Sequence, residues 1–200
     1  MTTLKFTCMQ CGTCCYEITE QPGLKRIPLY PEEVTKLISI AEKRGYNFQV
    51  IEDLVFPDIK NKKILIVTYK IILNNQNERC PFYQTNSGCS IHNEKPYACQ
   101  AYPLSLIRVD AFNFKISIDP LCNFIIDNYD QLLNVNLDNL KIIFKDEFPK
   151  AEKFYRKNKR LQLKIRELEY EEKIEIPREL HINDFNRYLN QWEREEIIVR

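Results

Sequence analysis

Residues 8–15 read Cys8-Met9-Gln10-Cys11-Gly12-Thr13-Cys14-Cys15. Residues three apart in a turn can aim both sulfurs at one point. Gly12 relieves the backbone between them and leaves amides free to hydrogen-bond sulfur. The C-x2-C-x2-C run wraps one loop around a single bulky centre, a spacing also found in ferredoxin loops whose fourth cysteine lies elsewhere. Mononuclear zinc sites more often take two ligands from each of two knuckles. Cys14 and Cys15 are adjacent, and neighbouring side chains in extended backbone point to opposite faces. They either serve two centres or leave one thiol outside the ligand set.

Four more cysteines follow, Cys80, Cys89, Cys99 and Cys122. Soft thiolates in tight loops select zinc, Cu(I) or iron–sulfur clusters. The expectation is metal binding through Cys8, Cys11, Cys14, Cys15, Cys80, Cys89, Cys99 and Cys122. An iron–sulfur cluster of the [4Fe–4S] type is placed ahead of Zn²⁺ because of the C-x2-C-x2-C run. For Cys122, which stands alone, the competing reading is a small buried hydrophobe. His92 lies between Cys89 and Cys99, where a ligand role competes with that of an imidazole satisfied by the fold. Tyr97 and Tyr102 flank Cys99 and either shield a centre or simply pack.

Composition narrows the classes. The 200 residues are 44 % apolar and 28 % charged, a folded and water-compatible balance, with a formal net charge of +1. That charge excludes a protein that coats nucleic acid by bulk charge. The first residues lack a basic region followed by an apolar one, and no apolar run approaches the roughly 20 residues that span a bilayer. The expected setting is cytoplasmic, with no membrane partner, where clustered cysteines bind metal or do redox chemistry more often than they form disulfides. Only four glycines occur, Gly12, Gly23, Gly45 and Gly88, and none can be placed in a phosphate-cradling or nucleophile-elbow motif. His92 and His181 form no H-E-x-x-H pair, and His181 is given no role.

The two cysteine blocks together resemble the CxxCxxCC family of zinc- or iron-chelating proteins. Its signature is met by Cys8 to Cys15. Its second block reads approximately C-P-[FY]-L, then G-C-x-I-Y-x-x-R-P-x-x-C-R-x-[FY]-P. The chain has Cys80-Pro-Phe-Tyr83, then Gly88-Cys-Ser-Ile-His-Asn-Glu-Lys-Pro96 and Tyr-Ala-Cys99-Gln-Ala-Tyr-Pro103. His92 replaces Tyr, and Lys95 and Gln100 replace two arginines. Lys keeps the charge without the forked donor set of Arg, and Gln loses the charge. The resemblance implies a cysteine-ligated iron or zinc centre and little about reaction. Some relatives of the family are similar to bacterial flagellin lysine methylases of larger size. That activity is not carried over to this short chain, which names no catalytic acid, base or nucleophile.

Working outward, residues 21–31 with three prolines read as an extended connection. A helix is expected over 31–44, started by Pro31, Glu32 and Glu33 and stopped by Gly45, with Val34, Leu37, Ile38 and Ala41 facing the core. Strands are expected at 48–56 and 63–73, the second ending in a turn at Asn74–Asn77. A hairpin is expected from 105–109 and 114–118, turning at Asp110–Asn113. Beyond it, helices fit 137–147 and 149–160. A short strand fits Leu161, Leu163 and Ile165, and a last helix fits 182–196, with Phe185, Tyr188 and Trp192 turned to the core. The fold class expected is α+β, a single small mixed domain with a cysteine-rich metal-binding loop region and a helical C-terminal part. Residues 1–128 are read as the cysteine-cluster domain and 129–200 as a charged, mostly helical extension packed on it.

Residues 150–166 hold eight basic side chains against Glu152 alone. A solvated helix face, balanced by the glutamates from Glu167 to Glu175, is favoured over a nucleic-acid surface. The partner expected is a protein or redox partner. The function expected is a metal-binding protein with a redox or electron-transfer role. The alternative is a structural-zinc interaction module that binds a protein or nucleic acid.

Overall fold

The computed structural model describes residues 4–16, 27–73, 79–110 and 113–199. In chain order the elements are β1 (Pro28–Leu29), α1 (Pro31–Arg44), β2 (Val50–Asp58), β3 (Lys63–Ile71), β4 (Tyr83–Gln84), β5 (Gly88–Cys89), α2 (Tyr97–Ala101), β6 (Leu104–Arg108) and β7 (Phe114–Ile118). There follow α3 (Asn123–Asp127), α4 (Tyr129–Leu132), α5 (Leu137–Ile143), α6 (Phe148–Tyr170), α7 (Ile182–Gln191) and β8 (Glu193–Glu196). The class is α+β. The chain divides into two compact units, one drawn from Met1–Lys25 and Leu73–Tyr155, the other from Arg26–Ile72 and Arg156–Arg200. All eight cysteines belong to the first. Residues 129–155 stay with them, whereas residues 26–72 leave for the second unit.

In the second unit β3 is the central strand. It pairs with β2 antiparallel along its length, with β1 antiparallel at Tyr69 and Lys70, and with β8 parallel from Lys63 to Ile66. Ile64 to Val67 are buried without alternation, so both faces of the strand are covered there. Helix α1 has its expected bounds because its signals are local. The Glu33 carboxylate accepts the Tyr30 amide at 3.0 Å, and Gly45, at φ +69°, ends it with its amide on Glu42 O. Val34, Leu37 and Ala41 are buried, but Ile38 is exposed. Ile38 lies about 100° around the helix from Leu37 and falls off the stripe that the other three make.

Three expectations about the last segment are corrected. Leu161, Leu163 and Ile165 are helical turns of α6, which runs unbroken for 23 residues. Only Leu161 is buried, and Leu163 is exposed, so the period of two in the sequence is not used. The final helix stops at Gln191, and Glu193–Glu196 form a strand on β3. Ile197 drives that exchange. It is buried, and its amide reaches Ile66 O at 2.9 Å. Phe185, Tyr188 and Trp192 are half-buried rather than core, and the Tyr188 and Trp192 rings stack at 3.9 Å.

Asp58 is the buried carboxylate of this unit. It accepts the amides of Lys60 at 3.1 Å, Asn61 at 3.4 Å and Glu175 at 3.0 Å, and the Asn61 side-chain amide. Asp58→Ala leaves those donors without an acceptor. The expected loss is about 3 kcal/mol, read as a lower urea midpoint of the second unit, with Asp58→Asn less damaging.

In the first unit Phe6, Phe124 and Phe144 form the centre of the core. Phe6 meets the other two at 5.0 and 5.2 Å between ring centroids. The Phe6 amide bonds Ile143 O at 2.9 Å, which fixes where the chain enters the cysteine loop. β6 and β7 form the expected hairpin. At its turn Asp110 accepts the Asn113 amide at 2.8 Å, and residues 111–112 lie outside the described residues. So do the Asn74–Asn77 turn and most of the connection read at 21–31. Among the described residues no helix is long and apolar enough to cross a membrane.

Candidate metal centre

The first cysteine block is a short turn of 3-10 helix, Thr13–Cys15, preceded by two left-handed residues, Gln10 at φ 51° and Gly12 at φ 85°. The Cys15 amide closes the turn on Gly12 O at 2.6 Å. Gly12 is needed twice over. A side chain there would sit in strained backbone, and its Cβ would overlap the ring of Tyr83, 2.6 Å from Oη. Tyr83 Oη in turn donates to Cys11 O at 3.0 Å.

The second block is tied to the first by backbone. The Cys80 amide donates to Cys15 O at 2.7 Å, and Tyr16 bridges Arg79. β4 and β5 pair Tyr83 with Cys89. Cys99 stands in α2, and Cys122 caps α3. Thr13 Oγ1 links that region to the loop, within hydrogen-bond distance of Cys11 Sγ at 3.3 Å and donating to Asn123 Oδ1 at 3.0 Å.

The thiols lie within one another's electrostatic reach. Cys15 is raised first by its contact with Cys14, Sγ to Sγ 3.7 Å, then by burial, and further by Cys80 and Cys99. Burial pushes the Cys80 thiol up to about 12, with Cys89 and Cys14 adding to it. Burial likewise raises Cys99, Cys89 and Cys122, and Cys14 acts on all three. Cys8 acts on Cys89, and Cys11 on Cys122. Opposing this rise, backbone amides point at sulfur. Phe82 N–H faces Cys80 and Ile91 N–H faces Cys89. Such amides favour the thiolate form and are the usual neighbours of metal-bound sulfur.

All eight cysteines are free thiols. The donor set suits a soft metal, and the amides aimed at sulfur suit thiolate ligands. Among the described residues, no three Cys, His, Asp or Glu side chains close on a single point.

Among the described residues Lys95 is a cation that acts on the cluster, lowering both Cys89 and Cys99. Arg108, in the hairpin, donates to Asp110 O at 2.8 Å. His92 Nε2 is 3.4 Å from Lys95 Nζ, and burial, followed by that charge, holds it below the usual imidazole range. Gln100 donates to Lys95 O. Burial also raises the Tyr102 phenol, with Asp119, Cys122 and Cys14 acting in the same direction. Tyr83, Thr13 and Asn123 were not legible as site residues. Their partners are far away in sequence, and no spacing signals them.

The basic run on α6 is partly occupied. Lys153 lies over the Tyr97 ring at 4.8 Å, Lys157 pairs with Glu32, and Lys164 pairs with Glu167 at 2.9 Å.

Comparison with known families gives a match to the cysteine blocks. The CxxCxxCC family model, described as "Putative zinc- or iron-chelating domain", covers residues 7–123. No curated protein and no solved structure matches the chain.

Proposed function

Since the chain belongs to the CxxCxxCC family, whose model spans more than half of it, we propose that it is a metal-binding protein whose centre is held by Cys8, Cys11, Cys14, Cys15, Cys80, Cys89, Cys99 and Cys122. The observation that carries this is the gathering of eight free thiols in one compact unit, their two blocks joined by the Cys80 amide on Cys15 O, with backbone amides beside Cys80 and Cys89. Amide-to-sulfur hydrogen bonds offset the charge that several thiolates accumulate around one centre. The first reading is iron in a [4Fe–4S] cluster, supported by the C-x2-C-x2-C run. When bound, it would supply one-electron transfer to a protein partner. Nucleic acid is the less favoured partner, because much of the basic run on α6 is engaged within the protein.

One distance favours a second reading. The 3.7 Å between Cys14 and Cys15 Sγ matches the edge of a thiolate tetrahedron built on metal–sulfur bonds of about 2.3 Å. Two thiols that close suit a single metal ion, and on this reading the centre is structural zinc in an interaction module.

Anaerobic purification, a visible spectrum, and iron, zinc and acid-labile sulfide analysis separate the two. Brown protein with matched iron and sulfide supports the cluster. Colourless protein with stoichiometric zinc supports the structural ion. Metal-free protein in both analyses, and after reconstitution, overturns metal binding.

The raised thiols give two pH predictions. Each thiol proton displaced at neutral pH adds one decade of apparent affinity per pH unit, so a four-thiolate centre should gain up to about four decades per unit. Zinc competition between pH 6.5 and 8, ranges chosen as roughly neutral, checks this against the slope near zero expected of preformed thiolates. For the metal-free protein the sign is opposite. Cys80 is held protonated up to about 12 in the folded state, against an ordinary thiol value of 9.0. Its contribution to stability is whole below that ordinary value and is lost as pH rises toward the folded one.

A further inference from the structure

Tyr102 follows α2, three residues after Cys99. Its ring packs against the aromatic core of the first unit, a cluster that includes Cys122 and has Cys8 at its margin. Its hydroxyl is buried and has no hydrogen-bond partner among the described residues. Packing does not require that hydroxyl, since Phe6, Phe124 and Phe144 build the same core with bare rings. A buried hydroxyl with no partner is a cost to the fold that a phenylalanine would avoid.

The groups around the hydroxyl are Asp119, Cys122 and Cys14. Asp119 also acts on the hydroxyl, by charge and as a side-chain hydrogen-bonding group, yet no bond closes between them. Its Oδ1 takes the Leu121 amide at 2.9 Å, and its backbone carbonyl takes the Cys122 amide at 3.3 Å. A neutral thiol is a poor acceptor, whereas a metal-bound thiolate is a strong one, because charge on the acceptor strengthens the bond. We propose that Tyr102 is a positioning residue of the centre, its buried hydroxyl donating to the metal-bound thiolate of Cys122 or Cys14. This rests on the thiolate-metal reading above. The hydroxyl binds no metal. It holds the sulfur in place and withdraws charge from it, so it sets affinity and thiolate character.

The test compares the full chain with Tyr102→Phe, using cobalt(II) alone as the probe and thiolate-to-cobalt charge-transfer absorption as the readout. The expected result has three parts. The metal-free variant melts at the same temperature as the parent or higher. Its cobalt affinity falls about tenfold, the scale of one hydrogen bond to a charged acceptor. The charge-transfer band moves to lower energy, because a sulfur that loses a hydrogen bond is a better electron donor. Equal affinity with an unmoved band overturns the proposal. So does a lower melting temperature of the metal-free variant with unchanged cobalt binding, which would assign the hydroxyl to Asp119 and the fold. Failure of the parent chain to bind cobalt through thiolates overturns the metal reading itself, a result distinguishable from the other two.

Discussion

Cys14→Ser should strip the protein of most of its metal, while the metal-free chain should keep its fold. Cys14 is the thiol whose charge is felt by Cys15, Cys80, Cys89, Cys99 and Cys122. It is thus within electrostatic reach of five of the other seven thiols. Serine is close in size and remains polar, but its hydroxyl stays protonated and is a hard, weak donor for zinc or iron. Retained metal should fall to about a tenth or less of the parent level, following the 10–100-fold losses seen when support of a metal site is removed. The double variant Cys11→Ser/Cys14→Ser should lose the remainder. Metal content per chain, measured after gel filtration in a weak chelator, decides the matter. A double variant with parental stoichiometry would remove the N-terminal block from the centre.

Gly12→Val should be as damaging by a different route. Valine would be forced to a positive φ, which β-branched residues scarcely adopt, and its side chain would collide with the Tyr83 ring. Backbone strain and overpacking together amount to about 3–5 kcal/mol. The loop can escape only by breaking the Tyr83 bond to Cys11 O and the Cys80 bond to Cys15 O. Melting temperature and metal content should therefore fall together. The two contributions can be separated with Gly12→Ala/Tyr83→Ala, which removes the collision and keeps the strain. It should recover part of the stability lost in Gly12→Ala alone. A Gly12→Val protein with parental stability would show that the loop is not held by Tyr83.

How far the sequence could be read followed the range of the interactions. Helix α1 was legible to the residue because Pro31, Glu33 and Gly45 act within one turn of its ends. The β6–β7 hairpin was legible because Asp110 and Asn113 close it locally. By contrast, Glu193–Glu196 carry no strand signal. They are extended because β3 has a free edge there and Ile197 anchors the end. The alternation at Leu161, Leu163 and Ile165 was a true pattern with no use, overridden by a helix already propagating from Phe148. In the site, the cysteines themselves were plain, as was the family they indicate. The contact of Gly12 with Tyr83 and the link from Thr13 to Asn123 depend on how distant segments meet, which spacing does not encode.

The interleaving of the two units also sets a timetable for synthesis. The first cysteine block leaves the ribosome before the stretch that goes to the second unit, and Cys80 to Cys122 come only after that stretch. At roughly 5–20 residues per second, the early thiols wait several seconds for their counterparts. Neither unit can close on its own share of the chain until late, because the first needs residues up to Tyr155 and the second needs β8. The nascent N-terminal block is thus a half-built donor set, open to oxidants and to the wrong metal. A fragment ending at residue 128 would leave both units unfinished.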